Sequence, residues 1–274
     1  MIGYPASLGR NPPLPRKFKI QNSKFRLVLL FDMFSQRPYL TVPIQECGEP
    51  LVEIAPAIAR VLPHPYQQLG APYGDKSPFY LRQSVHDRLL AAQAHLAKLK
   101  PGWRLQIFDA YRPLAVQQFM VDYTCAQVAR GQGLDPTQLT PEEQQAIATQ
   151  VHQFWAVPNP DPTCPPPHST GAAVDLTLLD ATGNPVDMGS AIDELSPRSY
   201  PDYFGQSRDP QEQAWQRSRQ LLQQVMLAAG FCQHPYEWWH FSYGDQMWAW
   251  FTAALDPRQS ALARYGRYHR PRSS

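Results

Sequence analysis

Apolar residues recur at helical spacing in several segments of the chain. Between about Leu81 and Lys100, residues 81, 85, 89, 92, 96 and 99 are apolar, so they share one face of a helix. Pro101-Gly102 then ends that helix. Apolar spacing and capping residues predict three more helices, at about Leu114–Arg130, from Thr140 to about Trp155, and from Asp209 to Gly230.

Three other segments are predicted to be strands, at about Trp103–Phe108, Ala173–Leu179 and His240–Tyr243. Residues 156–167 are rich in proline and are predicted to form a loop. The whole chain holds 29 prolines against 15 glycines, which favours numerous stiff loops. Because helices and strands are mixed and no internal repeat is visible, the pattern predicts an α+β fold.

We expect one domain at residues 36–256, flanked by two segments of different character. Residues 1–35 are rich in proline and basic residues and carry no clear period, so they are predicted to be a flexible extension. A start codon assigned too far upstream is the alternative for that segment. Residues 257–274 hold five arginines and are predicted to be a basic, solvated tail.

Charge and hydropathy exclude some classes of partner. The chain has 25 basic and 23 acidic residues among its 274, a net charge of +2, which favours neither nucleic acid nor a membrane surface. No run approaches the ~20 apolar residues of a membrane span. The apolar stretch Phe25–Phe34 is interrupted by Arg26 and Asp32 and lacks a signal-peptide cleavage site. We expect a cytoplasmic protein, with a periplasmic location as the alternative; nothing in the sequence indicates an oligomeric state.

Two short segments carry the residue types of a metal-dependent hydrolase. One runs from His168 through Gly171 to Asp175, and the other is Glu237-Trp-Trp-His240. A catalytic zinc site needs three protein ligands, commonly histidine and carboxylate, and a nearby group that takes a proton from water. Spacing alone leaves the alternatives open, because both histidines and both carboxylates could be ordinary polar residues.

The combination of motifs resembles a known family. His168-x-x-Gly-x-Ala-x-Asp175, Asp109-x-Tyr-Arg112-Pro and Glu237-Trp-Trp-His240 are together similar to the D-alanyl-D-alanine dipeptidases, zinc enzymes also used in vancomycin resistance. The resemblance covers roughly residues 38–250. It implies the fold shared with hedgehog domains and zinc D,D-peptidases, with a small, mostly antiparallel sheet, flanking helices and long proline-rich loops.

The resemblance also implies a role for each matching residue. His168, Asp175 and His240 would bind one zinc ion per chain, and Glu237 would be the general base that activates water. Arg112 would stabilise the oxyanion, a role for which the alternative is a structural arginine that braces a loop through Asp109.

Substrate contacts are implied at three further positions. Asp193 would hold the free ammonium of a dipeptide, with a turn or capping role as its alternative. Tyr73 is a candidate wall of the substrate cleft, and so is Tyr80. One departure concerns Pro166, which stands where the family often has a serine, so the exact dipeptide preference differs or depends on another contact.

The implied function is hydrolysis of a small D,D-dipeptide, for turnover of cell-wall peptide or to limit its supply. The first alternative is a D,D-carboxypeptidase or endopeptidase that acts on peptidoglycan stem peptides. The second is a zinc-containing binding domain without catalysis, against which Glu237 and Arg112 argue.

Overall fold

The computed structural model describes residues 37–152, 155–256 and 258–268 of the chain. The predicted extension at residues 1–35 lies outside the described residues. The helices are α1 (Pro65–Gln68), α2 (Gln83–Leu99), α3 (Leu114–Gly131), α4 (Pro141–Val151), α5 (Pro210–Ala228) and α6 (Gln246–Leu255). The strands are β1 (Leu51–Glu53), β2 (Ala59–Arg60), β3 (Tyr80–Arg82), β4 (Arg104–Asp109), β5 (Ala173–Leu179), β6 (Cys232–Gln233) and β7 (His240–Ser242).

The four predicted helices are present within a few residues of their expected bounds. The capping box that begins α4 is formed, since Thr140 accepts from the backbone of Glu143 and Glu143 accepts in return. Helix α6 was not predicted, because its residues are almost uniformly apolar and show no period. None of the described helices combines the length and the apolar character needed to cross a bilayer.

A five-stranded sheet lies at the centre of the fold, in the order β2-β4-β5-β7-β6. Strand β2 pairs with β4 in parallel, and every other pair in this sheet is antiparallel. Strands β1 and β3 form a separate antiparallel ribbon. The α+β class with a small, mostly antiparallel sheet is therefore confirmed.

Alternation along β5 separates the hydrophobic core from the opposite face of the sheet. Val174, Leu176 and Leu178 are fully buried in the main core, together with apolar residues of α2 and α5. Because successive side chains point to opposite faces, Asp175 lies on the other face. It is nevertheless only 2% exposed, so this second face is covered as well.

A β-bulge in β4 places a second aspartate beside Asp175. Ile107 pairs with Leu176, but the next pair joins Asp109, and not Phe108, to Asp175. The extra residue reverses the alternation of side chains along the strand. Asp109 therefore shares a face with Asp175, and Asp175 in turn pairs with His240 on β7.

In the described part of the C-terminal segment, residues 258–260 are exposed, whereas residues 263–268 pack against the domain. Ala263 forms a β-bridge with Ile44, Ala263 and Tyr265 are fully buried, and Tyr268 N donates to Ser169 O. The predicted solvated tail is therefore wrong for residues 263–268, because apolar and aromatic side chains alternate there with the arginines. Residues 257 and 269–274 of the predicted tail lie outside the described ranges.

Arg82 connects this C-terminal segment to the turn that carries His168. Its side chain is buried and donates to the carbonyls of Thr170 and Gly266 and to the carboxylate of Glu46. The guanidinium also lies 5.0 Å from the ring centroid of Tyr268. One cation thus satisfies acceptors from three separate segments.

We expect Arg82→Met to lower the free energy of unfolding by about 3 kcal/mol, because it leaves several buried carbonyls and a carboxylate without their donor. Urea unfolding measures the change. Arg258→Met is the matched control, since that side chain is 90% exposed and should leave the unfolding midpoint unchanged. Equal midpoints for the two variants would contradict the anchoring role.

Candidate active site

Three predicted ligand residues converge in the structure, although His240 follows Asp175 by 65 positions in the chain. Nε2 of His168 lies 3.2 Å from Oδ2 of Asp175 and 3.2 Å from Nδ1 of His240. Nδ1 of His240 lies 3.0 Å from Oδ1 of Asp175. All three side chains are buried, and one ligand atom from each lies within 4.8 Å of the others.

Local backbone geometry aims His168 at this cluster. The residue lies in a 3₁₀ turn, Pro167–Thr170, which ends at Gly171 with φ 73°. This left-handed conformation favours glycine, and a Cβ at Gly171 would also displace the end of the Leu51 side chain. Nδ1 of His168 donates to the carbonyl of Ala110 at 2.7 Å, which leaves the Nε2 lone pair facing the cluster.

The donor chemistry fits a zinc ion. Two imidazoles and one carboxylate are a common ligand set for catalytic zinc. Burial opposes the charged form of Asp175, but His168 and His240 outweigh it and hold the pKa of that carboxyl well below its usual range. Burial lowers the pKa of His240, which favours the neutral imidazole that a metal requires. A divalent cation would satisfy the converging acceptor atoms.

Glu237 approaches the same cluster from the turn between β6 and β7. Its Oε2 lies 3.7 Å from Nδ1 of His240 and 3.8 Å from Nδ1 of His234. Burial, followed by the negative charges of Asp175 and Asp193, raises the pKa of this carboxyl well above its usual value. A carboxyl whose protonated form is favoured in this way can accept a proton from a nearby water molecule.

Arg112 lies between the ligand cluster and the buried layer beneath it. Its Nε donates to Oδ2 of Asp109 at 2.8 Å, and its Nη2 donates to Oδ2 of Asp175 at 3.2 Å. Gln117 accepts from Nη1 at 3.0 Å. The structure therefore contains the predicted brace through Asp109, and it also places the guanidinium at the ligand cluster.

Asp193 faces the cleft from a loop and adopts a left-handed conformation, with φ 64°. Its Oδ2 accepts from the hydroxyl of Tyr66 at 2.7 Å. Burial first, and then the charge of Asp175, raises the pKa of Asp193 to about 6, although Arg112 and Tyr66 act in the opposite direction. The loop thus presents a carboxylate at the edge of a negatively charged site.

Tyr73 does not form a wall of the cleft, so that prediction is wrong. The side chain is 4% exposed, and its hydroxyl donates to Oδ1 of Asp109 at 3.1 Å. The hydrogen bond to the buried Asp109 holds the Tyr73 side chain beneath the site, away from the open side of the cleft. Tyr80 lies on β3 and is also absent from the residues that line the cleft.

A cleft of about 660 Å³, including its open mouth, leads to the cluster. All of the predicted catalytic and ligand residues line it, together with Asp193. Pro166, the departure from the family pattern, also lines it. Trp239 of the second motif lines it too, and the sequence did not single out the remaining polar and aromatic lining residues, which include Tyr39, Gln117, His152, Trp155 and His234.

Two aromatic residues that the sequence did not reveal support Arg112. The guanidinium carbon lies 5.0 Å from the ring centroid of Tyr66 and 5.0 Å from that of Trp155. Tyr66 follows His64-Pro65 in α1, and no spacing relates it to Arg112 or Asp193. Only its position in a segment rich in proline, glycine and tyrosine could have drawn attention to it.

Comparison with known proteins gives a consistent family. The family model described as D-ala-D-ala dipeptidase matches residues 60–258. A D-alanyl-D-alanine dipeptidase of Synechocystis sp. is 52% identical over 239 residues, which cover 84% of this chain and 96% of that protein. A D-alanyl-D-alanine dipeptidase of Escherichia coli is 34% identical over 152 residues, covering 56% of this chain and 61% of that protein.

One solved structure with a similar arrangement is VanY, a vancomycin-resistance D,D-pentapeptidase in complex with Zn(II). Its TM-score is 0.43 at 14% identity, and the match covers 80% of this chain and 91% of that chain.

We expect the cluster to bind a divalent metal that stabilises the folded protein. Metal present at a thousand times its Kd stabilises a protein by about 4 kcal/mol, so EDTA should lower the Tm of the wild-type protein. His240→Ala should abolish that response, whereas His95→Ala, a half-buried histidine on α2, should keep it. Differential scanning calorimetry with and without EDTA measures both. A His240→Ala variant that responds like wild type would refute the site.

Proposed function

The chain belongs to the D-Ala-D-Ala dipeptidase family, and we propose that it is a zinc-dependent dipeptidase that hydrolyses free D-alanyl-D-alanine. The observation that carries the proposal is the convergence on one cleft of a His-Asp-His ligand set, a buried carboxyl and a buried guanidinium. Each of these groups corresponds to one requirement of amide hydrolysis.

His168, Asp175 and His240 would hold one zinc ion per chain. Bound there, zinc acts as a Lewis acid and lowers the pKa of a water molecule to about 7. Contacts within the protein orient these ligand residues. The bond from His168 to Ala110 O orients one imidazole, and the pairing of β5 with β7 places Asp175 opposite His240.

Glu237 takes a proton from the attacking water and later donates it to the leaving amine. The carboxyl lies beside His240 but forms no short ion pair, since its closest contact to a histidine nitrogen in the described chain is 3.7 Å. Its surroundings raise its pKa, so one group can serve as base and then as acid within the same turnover. General acid–base catalysis of this kind contributes typically 10²–10⁴-fold in rate.

Arg112 stabilises the negative charge that develops on the carbonyl oxygen of the scissile amide. Hydrogen bonds to Asp109 and Gln117 hold its guanidinium, so little reorganisation is needed during the reaction. Burial opposes its charge, but Tyr66 and the nearby aspartates keep the pKa of Arg112 well above its usual value. The side chain therefore remains a cation throughout the reaction.

Asp193 binds the free ammonium group of the dipeptide. It is a carboxylate at the edge of the cleft, and Glu237 and Asp175 add to the negative potential there. A substrate with an acylated N-terminus has no cation to offer and would leave a partly buried anion unpaired, which is costly. This contact would restrict the enzyme to substrates with a free N-terminus.

We propose a role in turnover of cell-wall dipeptide, in a cytoplasmic setting with a periplasmic one as the alternative. Pro166 lines the cleft and offers neither a hydroxyl nor a backbone N–H, so the contact expected there in the family must come from another group. The precise range of dipeptides depends on that replacement.

A D,D-carboxypeptidase or endopeptidase acting on peptidoglycan stems is the second candidate. It uses the same metal and the same base, so the chemical groups alone do not separate the two activities. The position of Asp193 favours the dipeptidase. A longer stem peptide would place an uncharged backbone amide beside this carboxylate, where a dipeptide places its ammonium group. A binding domain without catalysis is disfavoured by the burial of both Glu237 and Arg112 at the ligand cluster.

Glu237→Gln should lower kcat by roughly 10³-fold, because glutamine cannot take the proton from water. Zinc content, measured by plasma mass spectrometry, should stay at the wild-type value. Glu142→Gln, an exposed glutamate in the first turn of α4, is the matched control and should keep full activity. Activity that survives in Glu237→Gln would show that another group is the base.

The wild-type enzyme should hydrolyse free D-Ala-D-Ala far faster than N-acetyl-D-Ala-D-Ala. Asp193→Asn should reduce this preference, since it removes the anion that selects for the ammonium group. Release of D-alanine from each substrate, measured as kcat/KM, gives the ratio. Cleavage of the acylated substrate alone would replace the dipeptidase with the carboxypeptidase candidate.

A further inference from the structure

The hydroxyl of Tyr66 joins the two charged groups assigned to the ends of the scissile unit. It donates to Oδ2 of Asp193 at 2.7 Å and accepts from Nη2 of Arg112 at 3.3 Å. Tyr66 and Asp193 are 127 positions apart in the chain, so this link exists only in the folded protein. Tyr66 itself is 2% exposed and does not line the cleft.

Two separate parts of the Tyr66 side chain act on its neighbours. The ring face supports the guanidinium of Arg112, with 5.0 Å between the guanidinium carbon and the ring centroid. The hydroxyl group forms the two hydrogen bonds. The ring contributes packing that phenylalanine would retain, whereas the hydrogen bonds require the oxygen.

The hydroxyl occupies one oxygen of Asp193 and leaves the other available. Among the described residues, Oδ2 has Tyr66 as its hydrogen-bond partner, and Oδ1 has none. Asp193 also lies at positive φ, in a loop conformation that non-glycine residues seldom adopt. A single strong hydrogen bond to one oxygen therefore determines where the other points.

We propose that Tyr66 is a positioning residue that directs Oδ1 of Asp193 toward the substrate ammonium and keeps it at a set distance from Arg112. The inference rests on the proposed function, because it needs Asp193 to bind the N-terminus and Arg112 to meet the scissile carbonyl. Tyr66 thereby fixes the spacing between the group that binds the amino end and the group that meets the scissile carbonyl. The amino end and this carbonyl lie in the same residue of the dipeptide. It contributes to substrate choice without touching the substrate.

This role predicts a selective effect on substrate binding. In Tyr66→Phe, Asp193 loses its donor and can turn away from the ammonium position, so KM for free D-Ala-D-Ala should rise more than kcat falls. The loss of a hydrogen bond to a charged group corresponds to roughly 10- to 100-fold in kcat/KM. Turnover of N-acetyl-D-Ala-D-Ala should change much less, so the preference between the two substrates should shrink.

Tyr73→Phe is the matched control. Tyr73 is also a buried tyrosine of the same aromatic cluster, and its hydroxyl also donates to a buried aspartate, Asp109. The variant removes a hydrogen bond of the same kind from a tyrosine that bonds to Asp109 and not to Asp193. A general loss of packing or rigidity would affect both variants alike, whereas the proposed role changes the substrate preference only in Tyr66→Phe.

A double-mutant cycle with Asp193→Asn tests the route of the effect. If Tyr66 acts through Asp193, Tyr66→Phe should cause little further loss of preference in the Asp193→Asn background. Steady-state kinetics with both substrates on the four proteins, each loaded with zinc and checked by its Tm, provide the data.

The outcomes separate this inference from the proposed function. If the wild type cleaves neither substrate, the proposed function and this inference both fail. If Asp193→Asn reduces the preference but Tyr66→Phe leaves KM and preference unchanged, only the role of Tyr66 is overturned. The role of Tyr66 is also overturned if Tyr73→Phe reduces the substrate preference as much as Tyr66→Phe does. It is overturned as well if the effects of Tyr66→Phe and Asp193→Asn on the preference are additive.

Discussion

Arg112 lies between two buried carboxylates, and the geometry of the site depends on that arrangement. Asp109 and Asp175 are cross-strand neighbours in β4 and β5, and both are almost completely removed from solvent. Two such anions side by side are unfavourable unless cations neutralise them. Arg112 donates to both of them, so removing it would take away a cation that they share, and breaking a buried ion pair costs about 3–5 kcal/mol in other proteins.

The charged layer around Arg112 explains why several polar side chains are buried next to Asp109 and Asp175. Asp109 also receives the hydroxyl of Tyr73, and Nε2 of His64 lies 3.2 Å from it. Above this layer, Asp175 faces His168 and His240. Asp109 thus lies beside Tyr73, His64 and Arg112, and Asp175 lies beside Arg112 and the two ligand histidines. These contacts help to hold the metal ligands in place.

The elements that carry the site are held from outside by contacts with no chemical role. Arg82 anchors the turn of His168 to the C-terminal segment, and Gly171 allows that turn to lie against β1 and β3. On the other side, the buried guanidinium of Arg219 donates to Met188 O and Tyr200 O, which brace the loop of Asp193. His168 and Asp193 therefore lie on short turns whose positions are set by buried arginines, whereas Asp175 and His240 lie on strands of the central sheet.

The sequence by itself determined the main helices and strands, the α+β class and the residue types that converge in the cleft, because periodicity, capping and short motifs are local properties. The resemblance to the dipeptidases located His168, Asp175, Arg112, Glu237 and His240 from three such motifs. Only the tertiary structure shows that Tyr66 donates to Asp193 and that its ring packs against Arg112. It also decided that residues 263–268 pack on the domain and that a bulge brings Asp109 beside Asp175. These features depend on strand register and on contacts between residues more than a hundred positions apart, which no local pattern encodes.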